Sequence, residues 1–124
     1  MKYLHTDKAP AALGPYSQGV QAGNMLFLSG QIPIDATTGL IRGTTIEEAT
    51  EQIFDNIEHV LAEAEATLGQ VVKVTVFMQD LTEFDAMNAV YAKRFGGHKP
   101  ARSTVQVARL PKDVSIEIEV TAVV

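Results

Sequence analysis

Two short stretches near the C-terminus hold the residues best suited to chemistry, Pro100-Ala101-Arg102-Ser103-Thr104 and Ser115-Ile116-Glu117-Ile118-Glu119. An arginine presents a planar, permanently charged fork of donors that matches the two oxygens of a carboxylate. A glutamate can pass a proton near neutral pH once partial burial or a like-charged neighbour raises its pKa. Glu119 stands two residues from Glu117, hence on the same side of a strand, and would push in that direction. Read as a hairpin, Arg102–Arg109 and Val114–Val123 are two strands joined by Leu110-Pro111-Lys112-Asp113, with proline in a turn position. Pairing Arg109 with Val114 sets Val107, Val105 and Ser103 opposite Ile116, Ile118 and Val120 on a core face. Arg102, Thr104, Gln106, Glu117, Glu119 and Thr121 then share the other face. Arg102 so placed is either a clamp for a small carboxylate or a surface ion-pair partner of Glu119. Glu117 is either an acid/base group or a solvated strand residue. Both choices stay open on local sequence.

Few other residues compete for a chemical role. The chain has no cysteine, which removes disulfides, thiol nucleophiles and cysteine-based metal sites. His5, His59 and His98 lack ligand-like spacing, so no metal site is expected. Ser17, Ser29 and Ser103 have no His/Asp context for a triad, and no phosphate loop or dinucleotide fingerprint occurs. The net charge of −5 weighs against nucleic acid as a partner, because phosphate neutralisation needs a basic surface. Charge is nonetheless uneven. Acids crowd Glu47 to Glu65, which contains no Lys or Arg, and reads as a solvated helix face. Bases crowd Lys93 to Lys112, around Arg102, where they could attract a small anion.

Holding such residues in place requires a framework. At 124 residues the chain is expected to form one domain, burying roughly two-thirds of its unfolded surface. The start, Met1 to Lys8, lacks the apolar core of a secretory signal, and no apolar run approaches membrane-spanning length. A cytoplasmic protein without a membrane partner is therefore expected. Tyr3 to Thr6 reads as a short edge strand, and Ser17–Ala22 with Met25–Ser29 as a hairpin around Gly23-Asn24. Met25-Leu26-Phe27-Leu28 is continuously apolar, which predicts a central strand buried on both faces. The segment from Gly30 to Gly43 is long for a loop, as a functional or covering segment would be.

Thr45-Ile46-Glu47-Glu48 is a capping box opening a helix whose apolar stripe runs from Ile46 to Leu68, with Gly69 as its stop. Val71–Gln79 alternates as a strand, with Val72, Val74, Val76 and Met78 on one face. Thr82 caps a second helix with the stripe Phe84, Met87, Tyr91 and Phe95. Asn88 lies beside that stripe, an unfavourable place unless its side chain forms a hydrogen bond. The order is β-β-β-α-β-α-β-β, an α+β fold with two helices on one face of a mixed sheet. The opposite face mixes Val71, Phe77 and Val123 with Thr75, Thr104, Gln106 and Glu117. That is too apolar to leave wet and too polar for a monomer core, so burial against other copies of the chain is expected.

Several motifs together carry a family resemblance. Gly14-Pro15-Tyr16-Ser17-Gln18, Ser29-Gly30-Gln31-Ile32-Pro33, Pro100-Ala101-Arg102-Ser103, and Val107 to Asp113 through Ile116-Glu117-Ile118-Glu119 resemble the RidA (YjgF) family. They occur in the family's order from about Ala9 to the C-terminus. The resemblance implies a chorismate-mutase-like fold, a homotrimer whose sheets form a central barrel, and sites in the clefts between subunits. It implies hydrolytic deamination of reactive enamines and imines, such as 2-aminoacrylate and 2-iminobutanoate, to 2-oxo acids and ammonia, without a cofactor. This is a metabolite damage control activity. The implied roles are carboxylate binding for Arg102 and water activation for Glu117, with Tyr16, Ser29, Gly30, Asn88 and Thr104 lining the pocket. Thr104 is a departure, since many relatives have cysteine there. A backbone carbonyl role would survive that change; a thiol role would not. Two other readings remain: a non-catalytic trimer that senses a small carboxylate to regulate a partner, and a ribonuclease or translation inhibitor.

Overall fold

The computed structural model describes residues 1–124 and has the expected element order. Strands β1 (Lys2–Leu4), β2 (Gly19–Ala22), β3 (Met25–Leu28), β4 (Val71–Met78), β5 (Ala101–Gln106) and β6 (Ile116–Val123) form one mixed sheet. Its order is β1-β2-β3-β6-β4-β5, antiparallel throughout except for β4 and β5. Helices α1 (Ile46–Ala62) and α2 (Phe84–Phe95) cover one face of it. This is the expected α+β arrangement. The core between the layers is built on Ile53, Phe54 and Ile57 of α1, Met87 of α2, and Val74, Val76, Ile116 and Ile118 of the sheet, all fully buried. Phe54 takes Tyr91 and Phe95 edge-on, with ring centroids 5.8 Å and 5.4 Å away. No helix is long and apolar enough to cross a membrane.

The expected hairpin between residues 102 and 123 is not formed. β4 lies between β5 and β6, parallel to the first and antiparallel to the second. The reason is the crossover: a helix after β4 returns the chain to the end where β4 began, which makes the next strand its parallel neighbour. β6 then pairs along the other side of β4, leaving that central strand no open edge. The chain from β5 to β6 passes across the end of β4, where Val107 N donates to Met78 O and Gln79 N to Ser115 O. This changes the faces. Val74 pairs with both Arg102 and Val120, and Phe77 with both Val105 and Glu117. Arg102, Thr104 and Gln106 therefore point to the helical side, while Glu117, Glu119 and Thr121 point to the open side.

Smaller departures have local causes. A bulge between Val71 and Lys73 turns Val71 into the core and leaves Val72 exposed, reversing their expected places. Thr45 Oγ1 accepts from Glu48 N at 3.2 Å, so Thr45 caps α1, but the return bond from Thr45 N to the Glu48 side chain that would complete a capping box is not formed. α1 nevertheless stops at Ala62; Glu65 takes φ 56°, and Leu68 reaches the core from a separate helical turn. A 3-10 turn, Leu81–Glu83, leads into α2 (Phe84–Phe95), and the group capping that turn is Asp80 rather than Thr82. Its carboxylate accepts from the Thr82 hydroxyl (2.7 Å) and amide (2.9 Å), which holds its pKa below the ordinary value. The acids of α1 are not all solvated, because Arg94 of α2 reaches across to Glu51, Asp55 and Glu58.

The long loop is tied down from below. The buried Asn56 donates to the carbonyls of Ile32 (3.3 Å) and Ile34 (3.0 Å), and Gln31 exchanges backbone bonds with Ile118. That fixes Gly30 and its neighbours against β6. The helix-free face of the sheet stays uncovered within one chain. Phe27 is 47 % exposed there and Val105 42 %, so β3 is buried on one face only.

Candidate active site

Arg102 is held from three directions. Its Nη1 donates to Asn88 Oδ1 at 2.6 Å, the bond that makes Asn88 tolerable inside a helix. Its guanidinium carbon lies 4.5 Å from the Tyr91 ring centroid and 5.4 Å from that of Phe84. Such cation–π contacts fix the plane of the fork while leaving its edge free. Phe84, Asn88 and Tyr91 succeed one another at steps of four and three, so one side of α2 presents all of them to β5. No carboxylate of the chain pairs with Arg102, and Glu119 lies on the opposite face of the sheet. The surface ion pair is thus absent. A cleft of about 500 Å³ opens beside the guanidinium, lined also by Asn88, Tyr91, His98 and Lys99.

Tyr91 and Phe84 were readable as core residues but not as a seat for Arg102, because that role appears only once β5 lies beside α2. The Tyr91 hydroxyl is buried and has no partner, since the arginine meets the ring face. Burial raises its pKa, with the Arg102 charge partly offsetting this. Thr104 follows Arg102 on the same strand face and does not line the open cleft. Its hydroxyl is likewise buried without a partner.

Glu117 belongs to a second cleft, of about 360 Å³, shared with Tyr16, Ser29, Gly30, Ile32 and Lys112. Gly30 leaves the room that the Glu117 carboxyl occupies: a Cβ on it would come within 2.9 Å of the carboxyl carbon and closer still to an oxygen, displacing that side chain. The Ser29 hydroxyl donates to Ser17 O at 2.6 Å and anchors the loop that carries Tyr16. Tyr16 itself accepts from Leu13 N through its hydroxyl and is more than half exposed. Burial pushes the Glu117 pKa up, and the Glu119 charge on the same face adds to it. The carboxyl is therefore poised to hold a proton closer to neutrality than an ordinary glutamate.

The expected site residues thus fall into two groups. Arg102, Asn88 and Thr104 lie on the helical side of the sheet, and Tyr16, Ser29, Gly30 and Glu117 around the other cleft. One chain does not bring Arg102 and Glu117 together. The first group offers an unpaired guanidinium fork, and the second a carboxyl whose pKa burial raises.

Comparison with known proteins identifies the family. The family model described as Endoribonuclease L-PSP matches residues 6–124. The chain is 47% identical to a protein of Escherichia coli named 2-iminobutanoate/2-iminopropanoate deaminase, an alignment covering 98% of this chain and 97% of that relative. It is 52% identical to a RutC family protein of Pyrococcus abyssi, over 96% of this chain and 94% of the other. Among solved structures, Escherichia coli TdcF with bound serine superposes with a TM-score of 0.96 at 43% identity, covering 100% of this chain and 99% of that one. A family model over residues 6–124 and relatives this similar over nearly the whole chain show that the chain belongs to the RidA (YjgF) family.

Proposed function

We propose that the protein hydrolyses enamine and imine derivatives of small amino acids, such as 2-aminoacrylate and 2-iminobutanoate, to 2-oxo acids and ammonia. The observation that carries this reading is the Arg102 fork, stacked on Tyr91 and bonded to Asn88 but left without a carboxylate of its own. An unpaired, oriented guanidinium suits a substrate whose fixed feature is a carboxylate. The name of the Escherichia coli relative and the serine bound to TdcF support the same substrate class.

In this reading the site is completed between copies of the chain, with Arg102 of one facing Glu117 of the next. The uncovered sheet face, with Phe27 and Val105 exposed, is the surface that such an assembly would bury. Arg102 holds the substrate carboxylate. Protonated Glu117 delivers its proton to the enamine carbon, giving the iminium tautomer. The carboxylate so formed orients a water, which adds to the iminium carbon. The Glu117 carboxylate takes the proton that this water releases and passes it to nitrogen; ammonia then leaves as the carbinol hydroxyl returns its proton to Glu117, giving the carbonyl of the 2-oxo acid. Because the imine carbon is already electrophilic, positioning and one proton carrier suffice.

The direct test generates 2-aminoacrylate in solution and follows 2-oxo acid and ammonia with and without the protein. Faster formation of both supports the proposal; an unchanged rate refutes it. Should the protein instead bind the carboxylate without accelerating its breakdown, the sensing role would stand in its place. Nuclease action, the activity in the matched family description, is set against a chain of net charge −5. RNA cleavage without any effect on imine decay would favour it. Sedimentation equilibrium is expected to give about three times the chain mass, and a monomer at micromolar concentration would refute the shared site.

A further inference from the structure

One segment of the second cleft has a conformation that chain reversal alone does not explain. Between β5 and β6, Lys112 has φ 56° and ψ 19°, and Asp113 also has φ 56°. Two consecutive left-handed residues, neither of them glycine, are unfavourable, and such strain persists only where the surroundings enforce it. The contacts that hold the turn come from the residues just before it. Asp113 is gripped by Arg109 through two bonds of 2.6 Å and 3.1 Å, and Asp113 N donates to Leu110 O at 3.0 Å.

This arrangement separates the charges of the turn. Arg109 occupies the Asp113 carboxylate, so Lys112 has no ion-pair partner in the chain. Lys112 is exposed and lines the cleft of Tyr16, Ser29, Gly30 and Glu117. The other ionisable groups there bear on the same point. Glu117 is in the cleft, Glu119 is beside it on the sheet, and each carboxylate when ionised repels an incoming carboxylate. Arg102, the clamp, stands on the other side of the sheet. Within this half of the site, Lys112 is the cation available to offset that repulsion.

We propose that Lys112 is a further substrate-binding residue, an unpaired ammonium held at the cleft rim by a left-handed turn, which draws small carboxylates in before Arg102 clamps them. The inference rests on the function proposed above and assigns the electrostatic capture step within it. A charge acting at the rim works on encounter rather than on the bond-making step, and salt screens it. Its loss should therefore lower kcat/KM at low ionic strength while leaving kcat nearly intact.

The test compares Lys112→Gln, Lys112→Gly and Lys112→Arg with the parent at two salt concentrations. At about 20 mM ionic strength the first two should lose roughly five- to tenfold in kcat/KM, shrinking to within about twofold at 0.5 M. Lys112→Arg should recover most of the loss. Lys112→Gly should also melt about 2–5 °C higher, because glycine accepts the left-handed backbone. A Lys112→Gln protein with the parent's kcat/KM at low salt overturns the proposal, as does a deficit equally large at high salt. If the parent produces no 2-oxo acid, the deaminase reading falls by itself. The Lys112 inference is then decided by 2-oxobutanoate binding measured calorimetrically. Weaker, less salt-sensitive binding by Lys112→Gln sustains it, and binding equal to the parent's overturns it.

Discussion

Replacing Arg102 with alanine is expected to lower kcat/KM for 2-aminoacrylate hydrolysis by at least about a hundredfold, or roughly 2.7 kcal/mol. A charge-assisted hydrogen bond contributes about 1.5–3 kcal/mol, and a bidentate clamp makes two. Arg102→Lys should recover only part of the loss. An ammonium keeps the charge but cannot offer the planar fork that Tyr91 and Phe84 hold in place. Steady-state kinetics on both variants checks this, with sedimentation to establish that assembly is unchanged. Activity within threefold of the parent in an intact Arg102→Ala oligomer would remove the clamp.

The second large effect is expected at Glu117. Glu117→Gln keeps the shape against Gly30 and removes the proton carrier, so kcat and kcat/KM should fall together by about a hundredfold. The same change should stabilise the fold at neutral pH. Glu117 has its pKa raised above 4.5 by burial first and Glu119 second, so the folded chain binds a proton that the unfolded chain has released. Stability from this group is full below about pH 4.5 and is lost as pH rises through the folded value. Thermal melts of parent and variant should therefore diverge in favour of Gln as pH rises from 4 to 8. A variant that is active, or less stable than the parent at pH 8, contradicts the assignment.

The sequence reveals the elements of this fold better than their neighbours. Periodicity places α1, α2 and β4, because burial on one face leaves its mark along a single segment. The sheet order leaves no such mark. Residues 102 to 123 look like a hairpin since both strands alternate and a Pro-containing turn joins them, yet β4 inserts between them. That single difference moves Arg102 and Glu117 to opposite faces. The candidate residues were picked out by motifs, Gly30 and Glu117 included, but their division between two clefts was not legible. The seat of Arg102 on Tyr91 and Phe84 depends on α2 lying over β5, and the β4 bulge that exchanges Val71 and Val72 has no signature in the alternating run. Asn88 is the exception: its poor fit to a helix interior foretold a side-chain bond, and Arg102 is its partner.

Complementation between two inactive chains tests the shared site most directly. Arg102→Ala and Glu117→Gln proteins are unfolded, mixed in equal amounts and refolded together, and 2-oxo acid formation from 2-aminoacrylate is measured. If Arg102 of one copy serves the same site as Glu117 of another, random assembly restores both groups in about a quarter of the sites. Activity of the mixture should then reach about a quarter of the parent's, far above either variant refolded alone. A mixture no more active than the two variants apart, in oligomers of normal size, would contradict a site built across copies of the chain.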